Sequence, residues 1–143
     1  MNPYLNVTII DGQGGGMGRQ LVASIKANCP GAKVTAIGTN SQATAAMLKA
    51  GADRAATGEN AVLVACRTSD VIAGPIAITI ADSLLGEITP EMAVAVGQSR
   101  AKRILIPVNQ CDNIIAGVPD LSLSSLVEAA VQEIQLLYKI AGE

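Results

Sequence analysis

Leu5-Asn6-Val7-Thr8-Ile9-Ile10-Asp11-Gly12-Gln13-Gly14-Gly15-Gly16-Met17-Gly18-Arg19 is a short β-rich run that stops at an aspartate and a cluster of glycines. Five of the chain's 14 glycines lie between Gly12 and Gly18. Met17, Leu21, Val22 and Ile25 then recur at helical spacing, and Pro30-Gly31 ends that pattern. The order is therefore strand, glycine loop, helix. A phosphate needs backbone N–H groups aimed at it, no Cβ in the way, and a helix N-terminus behind it. Here Gly12 can make the tight turn, Gly14, Gly15 and Gly16 let the backbone approach a pyrophosphate, and Gly18 lets the helix pack close to the sheet. Gly12, Gln13, Gly14, Gly15, Gly16, Met17 and Gly18 are the candidate phosphate loop. The competing explanation is a purely structural turn. Five glycines weigh against it, because each weakens the fold entropically.

The alternation continues outward from this loop. Lys33 to Ile37 reads as a second strand closed by Gly38. Thr39, Asn40 and Ser41 are each good caps for a helix through Ala50, which Gly51 terminates. Arg54 to Thr57 is a weak third strand before a helix from Glu59 to Arg67. Asp70 to Gly74 is a fourth strand that Pro75 ends. Ile76 to Leu85 is apolar and fits loop or helix. Thr89-Pro90-Glu91 starts a helix that runs to about Ser99. Arg103 to Val108 makes a fifth strand, and Asn113 to Val118 an expected sixth, antiparallel at the edge. Ser124 or Ser125 opens the last helix, with Ser125 and Glu128 spaced as a capping box. Apolar strands alternating with helices imply a single Rossmann-like α/β domain over residues 1–143. It has three layers: a mostly parallel sheet of five or six strands with helices on both faces.

Composition narrows the partners. The chain has no Phe, Trp or His and two tyrosines, so its core must be Val, Ile, Leu, Ala and Met. A net charge of −2 supplies no nucleic-acid footprint, and the Arg100, Lys102 and Arg103 cluster reads as a solvated edge. The apolar stretch Val71 to Ala81 is too short to span a bilayer, and no signal peptide is legible at the start. Cys29, Cys66 and Cys111 lack metal-type spacing, and no histidine is present to join them, so no metal site is expected. Three lone thiols suggest a reducing cytoplasm.

The loop invites comparison with known families. Gly12, Gly16, Met17, Gly18 and Arg19 resemble the Gly-x-x-x-Gly-Ile-Gly-Arg pattern of short-chain dehydrogenases, and Ile72-Ala73-Gly74 looks like their Asn-Ala-Gly loop. That resemblance covers roughly the first half of the chain and implies a retained cofactor half. The Tyr and Lys pair of those enzymes and the acid after their third strand are missing. Asp11-x-Gln13-x-x-Gly16 and Ala50-Gly51-Ala52-Asp53 resemble cobalamin-binding domains, with Gln13 in place of the cobalt-ligating histidine. An FMN site is a further alternative, disfavoured by the lack of aromatic rings. Over its whole length the chain resembles a family of short bacterial proteins of unknown function. They share an Asp-Gly-Gln-Gly-Gly-Gly opening, an Ala-Ile-Gly-Thr-Asn segment like Ala36 to Asn40, and a Gly-Glu-Ile-Thr-Pro segment like Gly86 to Pro90.

The choice of nucleotide turns on the end of the second strand, where NAD enzymes place an acid on the ribose. Gly38-Thr39-Asn40-Ser41 holds no acid, so Thr39, Asn40 and Ser41 are candidate donors to a 2′-phosphate, and NADP is favoured slightly over NAD. Gly74 and Pro75 are expected to shape the wall of the ligand cleft. Asp11, Glu59, Asn60 and Asn109 follow strands and are candidate polar groups, and Cys111 is the thiol to test for reactivity. Asp82 and Glu87 receive no role. With no triad, paired-acid site or metal cluster, the catalytic residues stay unknown. The expected function is a nucleotide-binding sensor or subunit. An oxidoreductase with an unrecognised base and an interaction scaffold are the alternatives. The wide apolar stripe of the last helix, including Leu136 and Ile140, predicts a homo-oligomer.

Overall fold

The six residues Asn6–Asp11, with the β-branched run Val7-Thr8-Ile9-Ile10 at their centre, form strand β1, and the other four strands of the sheet all run parallel to it. The computed structural model describes residues 4–108 and 112–142. In chain order the remaining elements are α1 (Gly16–Asn28), β2 (Lys33–Gly38), α2 (Ser41–Lys49), β3 (Arg54–Thr57), α3 (Glu59–Thr68), β4 (Val71–Pro75), α4 (Pro90–Gln98), β5 (Lys102–Ile106) and α5 (Leu123–Gly142). A 3-10 turn, Ile76–Thr79, follows β4. The strands are ordered β3-β2-β1-β4-β5, with Ile9 opposite Ala36 on one side and Ala73 on the other. This is a three-layer Rossmann-like sheet.

Alternation across the pleat splits the core in two. Val7, Ile9, Val34 and Val71 face the layer of α1, α2 and α5, meeting Leu21, Ile25, Met47 and Ile134. Ile10, Ile37 and Ile72 face the opposite layer, meeting Val62 and Cys66 of α3 and Met92 and Val96 of α4. Because β1 connects outward to β2 while β4 lies on its other side, the chain reverses direction across the sheet between β1 and β4. A crevice opens there at the carboxyl ends of the strands, the usual ligand position of such sheets.

Three expectations are corrected. Asn113 to Val118 forms no strand, and the described sheet has five. Gly117 has φ +79°, which a ladder does not accept, and Ile114 is 86% exposed, with no burial to hold it in a sheet. The capping box at Ser125 and Glu128 gives way to a cap one turn earlier. Ser122 Oγ accepts the Ser125 N–H at 3.2 Å, and the Ser122 carbonyl accepts the Leu126 N–H. Finally, β5 spans Lys102–Ile106 and not Arg103 to Val108.

Candidate functional site

The glycine loop lies at the crevice between β1 and β4. Its two ends are tied by one buried side chain. Asp11 Oδ1 accepts the Gly12 N–H at 2.8 Å, and Oδ2 accepts the Gly18 N–H at 2.7 Å. Burial pushes the Asp11 carboxyl above its ordinary value, the two amide bonds oppose that rise, and the nearby Glu87 charge adds to it. Asp11 is thus a staple of the loop, the commoner role for a carboxylate in this position.

Three of the five glycines are required by the fold itself. A Cβ on Gly12 would lie 2.6 Å from Thr39 Oγ1, and one on Gly18 would meet Met47 Sδ and the Asp11 Cβ. Gly15 has φ +74° and would press a Cβ within 2.8 Å of the Ala43 Cα. Gly14 and Gly16 differ. A Cβ at either position meets nothing within 4 Å. Among the described residues, the N–H groups of Gly14, Gly16 and Met17 take part in no hydrogen bond, whereas Gly15 N–H donates to Gly12 O. These amides stand at the N-terminus of α1, whose dipole favours an anion. The loop, Pro75, Leu84, Val108 and Leu123 enclose a cleft of about 230 Å³.

Glu87 completes the constellation from a distant part of the chain. Its Oε1 accepts Thr39 Oγ1–H at 2.6 Å, Asn40 Nδ2–H at 2.7 Å and the Gln13 N–H at 3.1 Å. Asn40 Nδ2 also donates to the Gln13 carbonyl at 2.9 Å. Gln13 is held from both sides in a left-handed conformation, φ +50°, that a non-glycine residue rarely adopts unaided. Partial burial raises the Glu87 carboxyl, but the three donated hydrogen bonds outweigh it and hold the group below the ordinary carboxylate range. Residues 82–86 aim this side chain: Asp82, Leu84, Leu85 and Gly86 all have positive φ, so the chain turns sharply, buries Leu84 and leaves Leu85 91% exposed.

The structure therefore brings together Gly12 to Gly18, Pro75, Thr39 and Asn40. Asn40 also caps α2, accepting the Ala43 N–H. Thr39, Asn40 and Ser41 are all outside the cleft lining itself; Thr39 and Asn40 join the loop through Glu87 and Gln13, whereas Ser41 is the exposed first residue of α2. Gly74 serves packing, since a Cβ there would strike the Ile10 carbonyl of β1. Glu59 is not at the cleft; it accepts the Thr89 hydroxyl and braces the start of α4, while Asn60 is an exposed position of α3. Asp82 belongs to the turn, its N–H donating to the Ile88 carbonyl. Cys66 is core. Asn109 and Cys111 lie outside the described residues. Among the described residues, no three Cys, Asp or Glu side chains gather as a metal site requires. Glu87 is the member of this candidate site to which the sequence alone assigns no role. The one available signal was an acid inside an otherwise apolar, irregular segment.

No curated protein matches the chain. One family model does, across residues 6–139, from the first strand to near the end of the last helix. The chain belongs to that family, described as a domain of unknown function, DUF3842.

Proposed function

We propose that this domain binds a nucleotide, with the phosphates seated on the loop Gly12 to Gly18 and a dinucleotide, NADP or NAD, as the ligand class. It acts as a sensor or as the binding subunit of a larger enzyme. The observation that carries the reading is the pair Gly14 and Gly16. Neither has a packing neighbour or a positive φ to explain its missing side chain, and both expose an unused N–H beside the cleft. A merely structural turn would account for Gly12, Gly15 and Gly18 but leaves these two unexplained. Among the described residues, Asp11 is the acid in the cleft lining itself, and both its oxygens already accept loop amides; Glu87 stands beside the loop, bonded to Gln13, Thr39 and Asn40. That favours binding over acid–base chemistry.

The test is a thermal-shift panel with NADP, NAD, AMP, ATP, FMN and cobalamin. A ligand at 100 times its Kd stabilises the fold by about 2.7 kcal/mol, a rise on the order of 5 °C. Gly14→Val leaves the resting Tm in place and removes the shift. No shift with any ligand overturns the reading in favour of a scaffold. The protein is further proposed to be cytoplasmic, consistent with two buried free thiols, and to self-associate through α5, where Leu136 and Ile140 are 56% and 66% exposed. No helix of the described residues is long and apolar enough to cross a membrane.

A further inference from the structure

We infer that Glu87 is the ribose-recognising acid of this site, so that a ligand with a free 2′,3′-diol is preferred over a 2′-phosphorylated nucleotide. The inference rests on the phosphate-loop reading and deepens it. In dinucleotide-binding sheets the ribose acid follows the second strand directly. This chain has Gly38-Thr39-Asn40 there and no acid. The fold fills the position from another segment: the Glu87 carboxylate lies on the Thr39 hydroxyl and the Asn40 amide, the first two residues beyond β2, and on the loop amide of Gln13.

Two consequences follow from counting donors and acceptors. The Thr39 hydroxyl has one hydrogen, donated to Glu87, and the Asn40 amide has two, donated to Glu87 and the Gln13 carbonyl. Neither retains a side-chain donor for a 2′-phosphate, so of the three candidate donors only the exposed Ser41 hydroxyl is left, which undercuts the preference for NADP drawn from these residue types alone. On the acceptor side, Oε1 takes all three bonds and Oε2 takes none of them. An ionised carboxylate keeps acceptor capacity at Oε2, suited to ribose hydroxyls and repulsive to a phosphate. The run of positive φ at Asp82, Leu84 and Leu85 is the backbone strain that puts Glu87 there.

The experiment is calorimetric titration of the full chain with NAD, NADP and ADP, at low and high salt, for wild type and Glu87→Gln. Wild type is expected to bind NAD about tenfold or more tighter than NADP, the size of a single like-charge contact at a ligand group. Glu87→Gln is expected to weaken NAD, strengthen NADP and bring the two close together. Equal binding of both by wild type, or a preference for NADP, overturns the ribose assignment while the loop reading stands. Parallel weakening of NAD and NADP in the variant makes Glu87 a strut of the loop and also overturns it. Binding of none of the three by wild type overturns the loop reading itself. If Glu87→Gln does not fold, the salt series decides. Screening must narrow the NAD-to-NADP gap of wild type, and a gap indifferent to salt removes the charge argument.

Discussion

At the scale of single residues the loop divides into glycines the fold needs and glycines it does not. Gly15→Ala forces a side chain into φ +74° against the Ala43 backbone. It should lower stability by about 1–3 kcal/mol in urea unfolding. Gly14→Ala meets no atom within 4 Å. It should stay within about 0.5 kcal/mol of wild type in the same experiment. Equal losses for the two would mean that Gly14 is also a packing glycine. Asp11→Ala orphans the buried N–H groups of Gly12 and Gly18, a cost of about 1–3 kcal/mol. Faster amide exchange at those two positions would report the loosened loop directly.

At the scale of elements, the acids act as ties between segments, and their titration has a defined sign. Asp53, just ahead of β3, accepts the Val34 N–H of β2 at 2.8 Å and pairs with Lys26 of α1 at 3.0 Å. Burial raises its carboxyl, but the Val34 amide and Lys26 prevail and hold it below the ordinary value. Glu87 is depressed likewise by its own hydrogen bonds. For both, the contribution to stability is complete above the unfolded values of about 4 and is lost as pH falls through the lower folded values. Asp11 runs the other way. Its folded value is raised, so its contribution is fully present below the unfolded value and is lost as pH rises through the folded one. Tm measured against pH should therefore drop below about pH 4, and Asp53→Asn should make that drop shallower. Its cost near neutrality should be below about 1 kcal/mol, because the pair is partly exposed. An acid limb unchanged by the substitution would remove Asp53 from this account.

At the scale of the whole molecule, the all-parallel sheet is covered on both faces, yet α5 keeps Leu136 and Ile140 outside the core that Val127, Ala130, Val131 and Ile134 join. If α5 is the proposed self-association surface, light scattering should give the mass of at least two chains. Leu136→Glu with Ile140→Glu should return a folded monomer. A one-chain mass for the unaltered protein would remove that surface from consideration.

The fold was legible in the sequence because its signals are local. The apolar runs of β1, β2 and β4, the glycine cluster after β1, the Asn40 and Thr89 caps and the Gly51 stop each act within a few residues. They decided the strand–loop–helix order and the parallel class. Local reading failed where the backbone state depended on burial elsewhere, as at Asn113 to Val118, whose composition suits a strand that no neighbour pairs. It also failed to find half of the candidate site. Glu87 lies 48 residues from Thr39 and 74 from Gln13, yet bonds to both. That meeting depends on the sheet order β3-β2-β1-β4-β5 and on the left-handed turn at 82–86. The sequence by itself determined where a phosphate loop can form, since that needs only a strand, glycines and a helix in succession. Only the tertiary structure decided which charge stands beside it, because hydrogen bonds between distant segments follow from how the crossovers stack and leave no periodic trace along the chain.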